Sequence, residues 1–224
     1  MLLAQQQALL ARVKQSMLEL LLGRVWRFQG DGKDWGKVEL SQCTIKIKNI
    51  VWRNNNKNYA YIDLACVSRD THDITETTTI NATTAPSRAI QVIQTNDVLL
   101  GTTRPLLRRY TLIRPQYNGQ ICSTGFCVLR PNPSVVIPQW IYCNIASNRF
   151  FEHARVWQEG ANYPMLSNKN TLTFKIPLPP LSTQEKIARL LSALEDLSVL
   201  CGHKQALLER ITHALRDQLI PKEI

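Results

Sequence analysis

No stretch of this 224-residue chain approaches the roughly 20 uncharged apolar residues of a membrane span. The N-terminus mixes its leucines with Gln5, Gln6, Gln7, Arg12 and Lys14, which is not the charged-then-apolar order of a secretory signal. These absences predict a cytoplasmic protein with no membrane contact. Six cysteines (Cys43, Cys66, Cys122, Cys127, Cys143 and Cys201) are scattered without a C-x-x-C pair. The nearest two, Cys122 and Cys127, have no histidine or third cysteine at ligand spacing, so no metal site is expected. Reduced, mostly buried thiols suit a reducing compartment.

A catalytic constellation is missing too. His72, His153, His203 and His213 fall in separate segments, and no G-x-S-x-G elbow, H-E-x-x-H pair or P-loop is present. The glycines of Gly30-Asp31-Gly32-Lys33-Asp34 sit in a hydrophilic turn that no phosphate-binding helix follows. Nuclease chemistry needs carboxylates clustered on a metal, yet residues 80–130 hold a single acid, Asp97. Asn162-Tyr163-Pro164 has only a superficial likeness to the Asn/Asp-Pro-Pro-aromatic element of a base-flipping methyltransferase. The expectation is a chain with no cofactor and no catalysis of its own.

Positive charge is what the chain has in excess, and it is unevenly placed. Of the net +10, residues 1–180 carry 21 Lys and Arg against 11 Asp and Glu, whereas residues 181–224 carry 6 against 6. Residues 80–130 hold six arginines: Arg88, Arg104, Arg108, Arg109, Arg114 and Arg130. Arginine suits bidentate contacts to phosphate and to guanine edges. A basic patch on its own is equally compatible with a merely solvated surface.

The second positive feature is a long apolar seam. Ile187, Leu190, Leu194, Leu197, Cys201, Lys204, Leu208, Ile211, Leu215 and Gln218 follow a 3,4,3,4 spacing, the mark of a helix that lies against another helix. Ser182-Thr183-Gln184-Glu185 reads as a capping box that starts it, and Pro177, Pro179 and Pro180 form a stiff lead-in. A shorter repeat opens the chain at Leu3, Gln6, Leu10, Val13, Met17 and Leu20, with Gly23 as a stop. The two helices pack on each other or on a second copy; the plainer alternative is two ordinary core-facing amphipathic helices.

Between them the pattern is strand-rich and mixed, with neither βαβ alternation nor repeats. Extended segments are expected over residues 24–28, 35–40, 59–67, 97–100, 123–131 and 172–177, and a short helix over 138–151. The predicted fold is therefore α+β. Gly101-Thr102-Thr103-Arg104-Pro105 follows a buried-type strand directly, which is how a rigid scaffold offers donors to a ligand. The competing expectation for Thr102, Thr103 and Arg104 is turn formation with a locally bonded arginine.

Residues 59–64 (YAYIDL), 85–88 (APSR), 96–105 (NDVLLGTTRP), 123–131 (STGFCVLRP), 163–167 (YPMLS) and 176–187 (IPLPPLSTQEKI) together resemble the DNA specificity subunit of type I restriction-modification systems. The resemblance implies a target recognition domain over residues 24–181, an N-terminal spacer helix over 1–23 and a C-terminal spacer helix over 182–224, the helices forming an antiparallel coiled coil. It implies a non-catalytic subunit that binds double-stranded DNA and directs methyltransferase subunits, and a restriction subunit where the system has one, to a bipartite target. Family members carry two recognition domains. This chain holds one, which implies a half-length subunit that forms a homodimer or a fragment of a longer one.

The residues expected at DNA are Arg88, Arg104, Arg108 and Arg109 for phosphates and bases, and Ser87, Thr102 and Thr103 for hydroxyl contacts. Lys57, Tyr59, Tyr163 and Lys169 are secondary choices. Ile187, Leu190, Leu194, Leu197, Leu208, Ile211 and Leu215 are expected at the partner helix. The rival class is a coiled-coil adaptor whose basic domain takes RNA or an acidic partner.

Overall fold

Where the hydrophobic pattern turns from helical to alternating, the chain changes element. The computed structural model describes residues 2–23, 35–53 and 55–219, so the strand expected over 24–28 and the turn over 30–34 lie outside the described residues. In chain order the elements are α1 (Leu2–Leu22), β1 (Gly36–Glu39), α2 (Leu40–Cys43), β2 (Thr44–Ile45), β3 (Tyr59–Ile62), β4 (Thr78–Ile80), β5 (Ala89–Val92) and β6 (Val98–Gly101). They continue with β7 (Tyr110–Leu112), β8 (Ile121–Ser123), β9 (Phe126–Pro131), α3 (Pro138–Ala146), α4 (Asn148–Trp157), α5 (Asn168–Leu172), β10 (Lys175–Leu178) and α6 (Leu181–Leu219). This is the α+β class that the sequence predicts. The chain divides into two compact units, Met1–Arg27 with Lys186–Ile224, and Phe28–Glu185.

The Phe28–Glu185 unit contains two four-stranded sheets, ordered β2-β9-β6-β7 and β4-β3-β8-β5, and the antiparallel pair β1-β10. All described pairings are antiparallel except β3 with β8. Residues 123–131, expected as one strand, are two. Ser123 Oγ accepts from Gly125 N at 3.1 Å, a local side-chain bond that turns the chain between β8 and β9 and hands it from one sheet to the other. Strand β3 also stops early, because Asp63 Oδ1 takes the N–H groups of Ala65 (2.8 Å) and Cys66 (3.2 Å) in a turn.

The core joins both sheets. Ile62, Val67, Ile93, Leu99, Ile113, Cys122 and Phe126 form one buried cluster, and Tyr61, Ile80, Ala89 and Ile121 a second. All four residues of β6 are buried, so it shows no alternation. Inside this region sits a buried ion pair. Arg130 meets both carboxylate oxygens of Asp97 at 2.8 Å, donates to Val92 O at 3.1 Å, and Asp97 Oδ2 also accepts from Gln94 N at 2.7 Å.

The helix expected over residues 138–151 is broken into α3 and α4. Ser147 explains the break: its hydroxyl donates to Asn144 O at 2.7 Å and accepts from Phe150 N, ending one helix and capping the next. Trp140 is fully buried, donates Nε1–H to Pro177 O at 2.8 Å, and stands edge-on to Trp35 at 6.2 Å.

Helix α6 begins at Leu181, two residues before the Thr183 start that a Ser182 cap would give, which corrects the capping-box expectation. The Pro180 carbonyl accepts from Thr183 N and Gln184 N, and Ser182 is exposed in the first turn. Gln184 is instead the residue that fixes the entry. Its buried amide accepts from Ile137 N and donates to Val135 O and Pro179 O.

In the other unit, α1 spans 21 residues and α6 runs on through Lys186, its 39 residues giving about 58 Å. Ile187 and Leu191 are buried and Leu190 and Leu194 half-buried, whereas Leu197, Leu208 and Ile211 are exposed. Leu215 and Gln218 have side chains outside the described ones. The apolar seam is thus covered at its beginning and open further along.

Two outcomes are expected. Asp97→Ala leaves the Arg130 guanidinium, only 11% exposed, without its carboxylate, and urea unfolding should show a loss of about 3 kcal/mol. Burial pushes the Cys43 thiol up to about 11 and the Cys127 thiol up to about 12, and raises Cys122 as well. Thiolate is scarce and access closed, so mass spectrometry after iodoacetamide at pH 8 should find these three unlabelled until denaturant is added.

Candidate nucleic-acid interface

Four loops lie side by side at the ends of the strands, held by main-chain hydrogen bonds. Thr124 N donates to Arg88 O at 2.9 Å, which ties the turn before β5 to the turn after β8. Thr102 N donates to Gly125 O at 2.8 Å, and the Thr102 hydroxyl repeats that bond at 2.8 Å. On the other side Leu166 N donates to Thr102 O at 2.9 Å and Arg104 N to Pro164 O at 2.7 Å, while Thr103 bridges Met165. The segments APSR, GTTRP, STGF and YPMLS, apart in sequence, are therefore neighbours.

The fifth segment, YAYIDL, supplies the wedge beneath them. A Cβ on Gly101 would meet Leu64 Cδ2 at 3.0 Å and Arg109 O at 3.1 Å; one on Gly125 would meet Leu64 Cδ1 at 3.0 Å. A larger residue at either position would have to push the Leu64 side chain aside, and at Gly101 it would also crowd the Arg109 backbone. Buried Gln91 completes the support, donating to Ser123 O at 2.8 Å and Phe126 O at 3.0 Å. Gln91 carried no sequence signal beyond being a polar residue in an alternating strand.

The six arginines divide by where their guanidiniums point. Arg130 is spent on Asp97, Arg114 on Asp73, and Arg109 on the carbonyls of Leu64 and Val67. Arg88, Arg104 and Arg108 are exposed. Arg104 lies over the Tyr163 ring at 4.8 Å, and Arg108 over the Phe151 ring at 4.4 Å with a further bond to Asn148 Oδ1 at 2.9 Å. Both have left-handed backbones, φ 49° and 55°, a conformation uncommon for a residue with a Cβ. Phe151 and Asn148 escape sequence reasoning because they come from α4, some 40 residues away.

Each expected residue has a definite place. Ser87, Arg88, Arg104, Arg108 and Tyr163 are exposed on the four-loop cluster or its edge, and Thr103 is half-buried there. Thr102 is 3% exposed with its hydroxyl committed to Gly125, so its role is to join two loops, and the expected hydroxyl contact to a ligand does not fit this placement. Arg109, half-buried and bonded to two carbonyls, is likewise a brace for the Leu64 turn. Tyr59 belongs to β3, where its hydroxyl accepts from Asn55 Nδ2 and its ring meets Trp52; Lys57 is exposed before it, and Lys169 is exposed on α5. Among the described residues, no hydrogen bond of these three joins them to the four loops. Nor do the described residues contain a group of His, Cys, Asp or Glu suited to a metal ion, and no described helix is long and apolar enough to cross a membrane.

The unit is thus a mixed scaffold of two four-stranded sheets with exposed arginines on its loops. The model of the type I restriction modification DNA specificity domain matches residues 33–210, and the chain belongs to that family. It is similar to the HindI specificity subunit of Haemophilus influenzae, 24% identical over 184 residues that make up 81% of this chain and 40% of that one. It is similar also to the HsdS subunit of Thermoanaerobacter tengcongensis, with 27% identity and a TM-score of 0.72 over 86% of this chain and 51% of that one. A chain from a structure concerned with complex assembly and conformational transition of the type I R-M system matches with 27% identity and a TM-score of 0.73, covering 88% and 50%. This chain spans about half the length of the relatives it matches.

The split among the arginines is measurable. Arg109→Met should cost about 1–3 kcal/mol in urea unfolding, because two carbonyls lose their donor. Arg88→Ala, an exposed change, should stay within about 0.5 kcal/mol of wild type in the same titration.

Proposed function

We propose that this chain is a sequence-reading half of a type I specificity subunit: it binds double-stranded DNA through the four-loop surface and has no catalytic step of its own. The observation that supports the reading is the convergence of the APSR, GTTRP, STGF and YPMLS segments into one loop cluster, on which or at whose edge Arg88, Arg104 and Arg108 are exposed. Donors on loops anchored to a rigid sheet suit entry into a major groove, where Arg reads guanine O6 and N7 and the duplex backbone takes the remaining cations. The target recognition domain is assigned to residues 24–181 and the spacer helices to 1–23 and 182–224.

The helices serve assembly. Exposed Leu197, Leu200, Leu207, Leu208 and Ile211 offer an open apolar seam on α6, and the half-length match leaves room for a second reading half. That half is a second copy related by a two-fold axis, which imposes an inverted-repeat target, or the remainder of a longer chain. The antiparallel helices then set the separation of two half-sites, and methyltransferase subunits, with a restriction subunit where present, dock on the assembly.

Selection of bound duplexes from a random pool, after the protein has been sized in solution, tests this. A split target with a fixed gap is the expected result, and a chain that holds RNA or polyanion as well as it holds selected duplex overturns it. Against the selected site, the log–log salt slope should fall by about 0.9 for each arginine whose phosphate contact is removed, without a change in preferred sequence. Arg104→Ala should instead relax preference at one base pair, at a cost of about 1–3 kcal/mol.

A further inference from the structure

Between Arg104 and Arg108 the chain makes a single 3₁₀ turn, Pro105–Leu107. Leu107 N donates to Arg104 O at 2.9 Å and Arg108 N to Pro105 O at 3.0 Å, while Arg104 N is anchored to Pro164 O. Pro105 is buried and fixes the base of the turn; Leu106 and Leu107 are 40% and 38% exposed at its tip. Isolated exposed leucines are common on any surface and need no explanation. These two differ in being consecutive, in sitting on a turn whose two ends are both left-handed arginines, and in having a cation held against an aromatic ring on each side.

The flanking charges say what faces the turn. Two oriented guanidiniums select a polyanion, and an apolar tip between them needs an apolar group on that polyanion. On the major-groove edges of DNA the apolar group is the thymine 5-methyl. We infer that Leu106 and Leu107 contact thymine 5-methyl groups, so that the turn reads one or two A·T pairs beside a position read by Arg104 or Arg108. This rests on the DNA-binding reading above and adds a specificity element to it. The arginines then supply orientation and hydrogen bonding, and the leucines distinguish thymine from the other pyrimidine by its methyl.

The test uses the full chain and its selected duplex, labelled for fluorescence anisotropy. Each thymine is replaced in turn by deoxyuridine, which removes the methyl and leaves base pairing intact. For wild type, one or two positions should weaken binding about four-fold each, the equivalent of one buried methylene-sized group. With Leu106→Ala/Leu107→Ala, checked for folding by circular dichroism, thymine and deoxyuridine should bind alike at those positions and the salt slope should be unchanged. Deoxyuridine that is neutral at every position overturns the inference, and the wild-type scan alone decides this if the variant fails to fold. A penalty that persists undiminished in the folded double variant overturns it too, because the methyl is then read elsewhere. Should wild type bind no duplex at all, the DNA reading itself falls and the turn's role with it.

Discussion

Everything on the candidate surface depends on a short ladder of main-chain hydrogen bonds that crosses from one loop to the next. Arg88 O, Gly125 O, Thr102 O and Pro164 O each accept from the neighbouring loop, and Leu64 fills the space under the two glycines. Loops normally lose the entropy of ordering against few contacts. Here the turn before β5, the β8–β9 turn, the exit of β6 and the segment after α4 order one another, so a side chain on any one of them keeps its place relative to the rest. The proposed DNA reading would draw on such preorganisation, since a loop that orders only on binding loses affinity to that ordering.

The same economy governs charge. A cluster of six arginines with a single acid would be repulsive if all the guanidiniums shared one face. Arg130 and Asp97 neutralise one another in the interior, Arg114 pairs with Asp73, and Arg109 takes two main-chain carbonyls whose turn would otherwise lack donors. Arg114 and its partner stay at the surface, and Arg88, Arg104 and Arg108 are exposed too, the last two stacked on rings that limit where they can swing. Buried ion pairs add little net stability over an apolar replacement, yet they are costly to break. Asp97–Arg130 therefore acts as a constraint joining the start of β6 to β9, the strand that leads out of the STGF turn.

Much of this was legible in the sequence, and the illegible part has physical causes. Apolar periodicity located α1 and α6, and glycine, proline and hydroxyl residues after β6 and β8 located the loops. Composition could not sort the arginines, because Arg108 and Arg109 are adjacent and identical in type. Their fates separate only because Arg109 enters β7 facing the Leu64 turn while Arg108 has a left-handed backbone that swings it toward α4. For Thr102 the sequence left a ligand contact and a local turn both open, because the strand before it is buried on both faces and no alternation announces which way its hydroxyl turns. The capping-box expectation places the start too late: the Pro180 carbonyl already accepts from Thr183 N and Gln184 N, so Ser182 lies inside the first turn, while the Gln184 side chain bonds inward.

The helical seam shows where the physics of one chain is incomplete. A buried Ile187 followed by an exposed Leu197 and Ile211 on the same helix face cannot both be answers to one core. Exposed apolar residues at heptad spacing cost little in a helix stabilised elsewhere, but they leave a surface that associates when a matching seam is presented. The proposed second half supplies such a seam, and a helix is the appropriate device for it because its rise per residue is fixed. A reader with preorganised loops recognises a short run of bases only. Two such readers held by rods of constant length recognise a pair of runs and the distance between them, which raises specificity without enlarging either recognition surface.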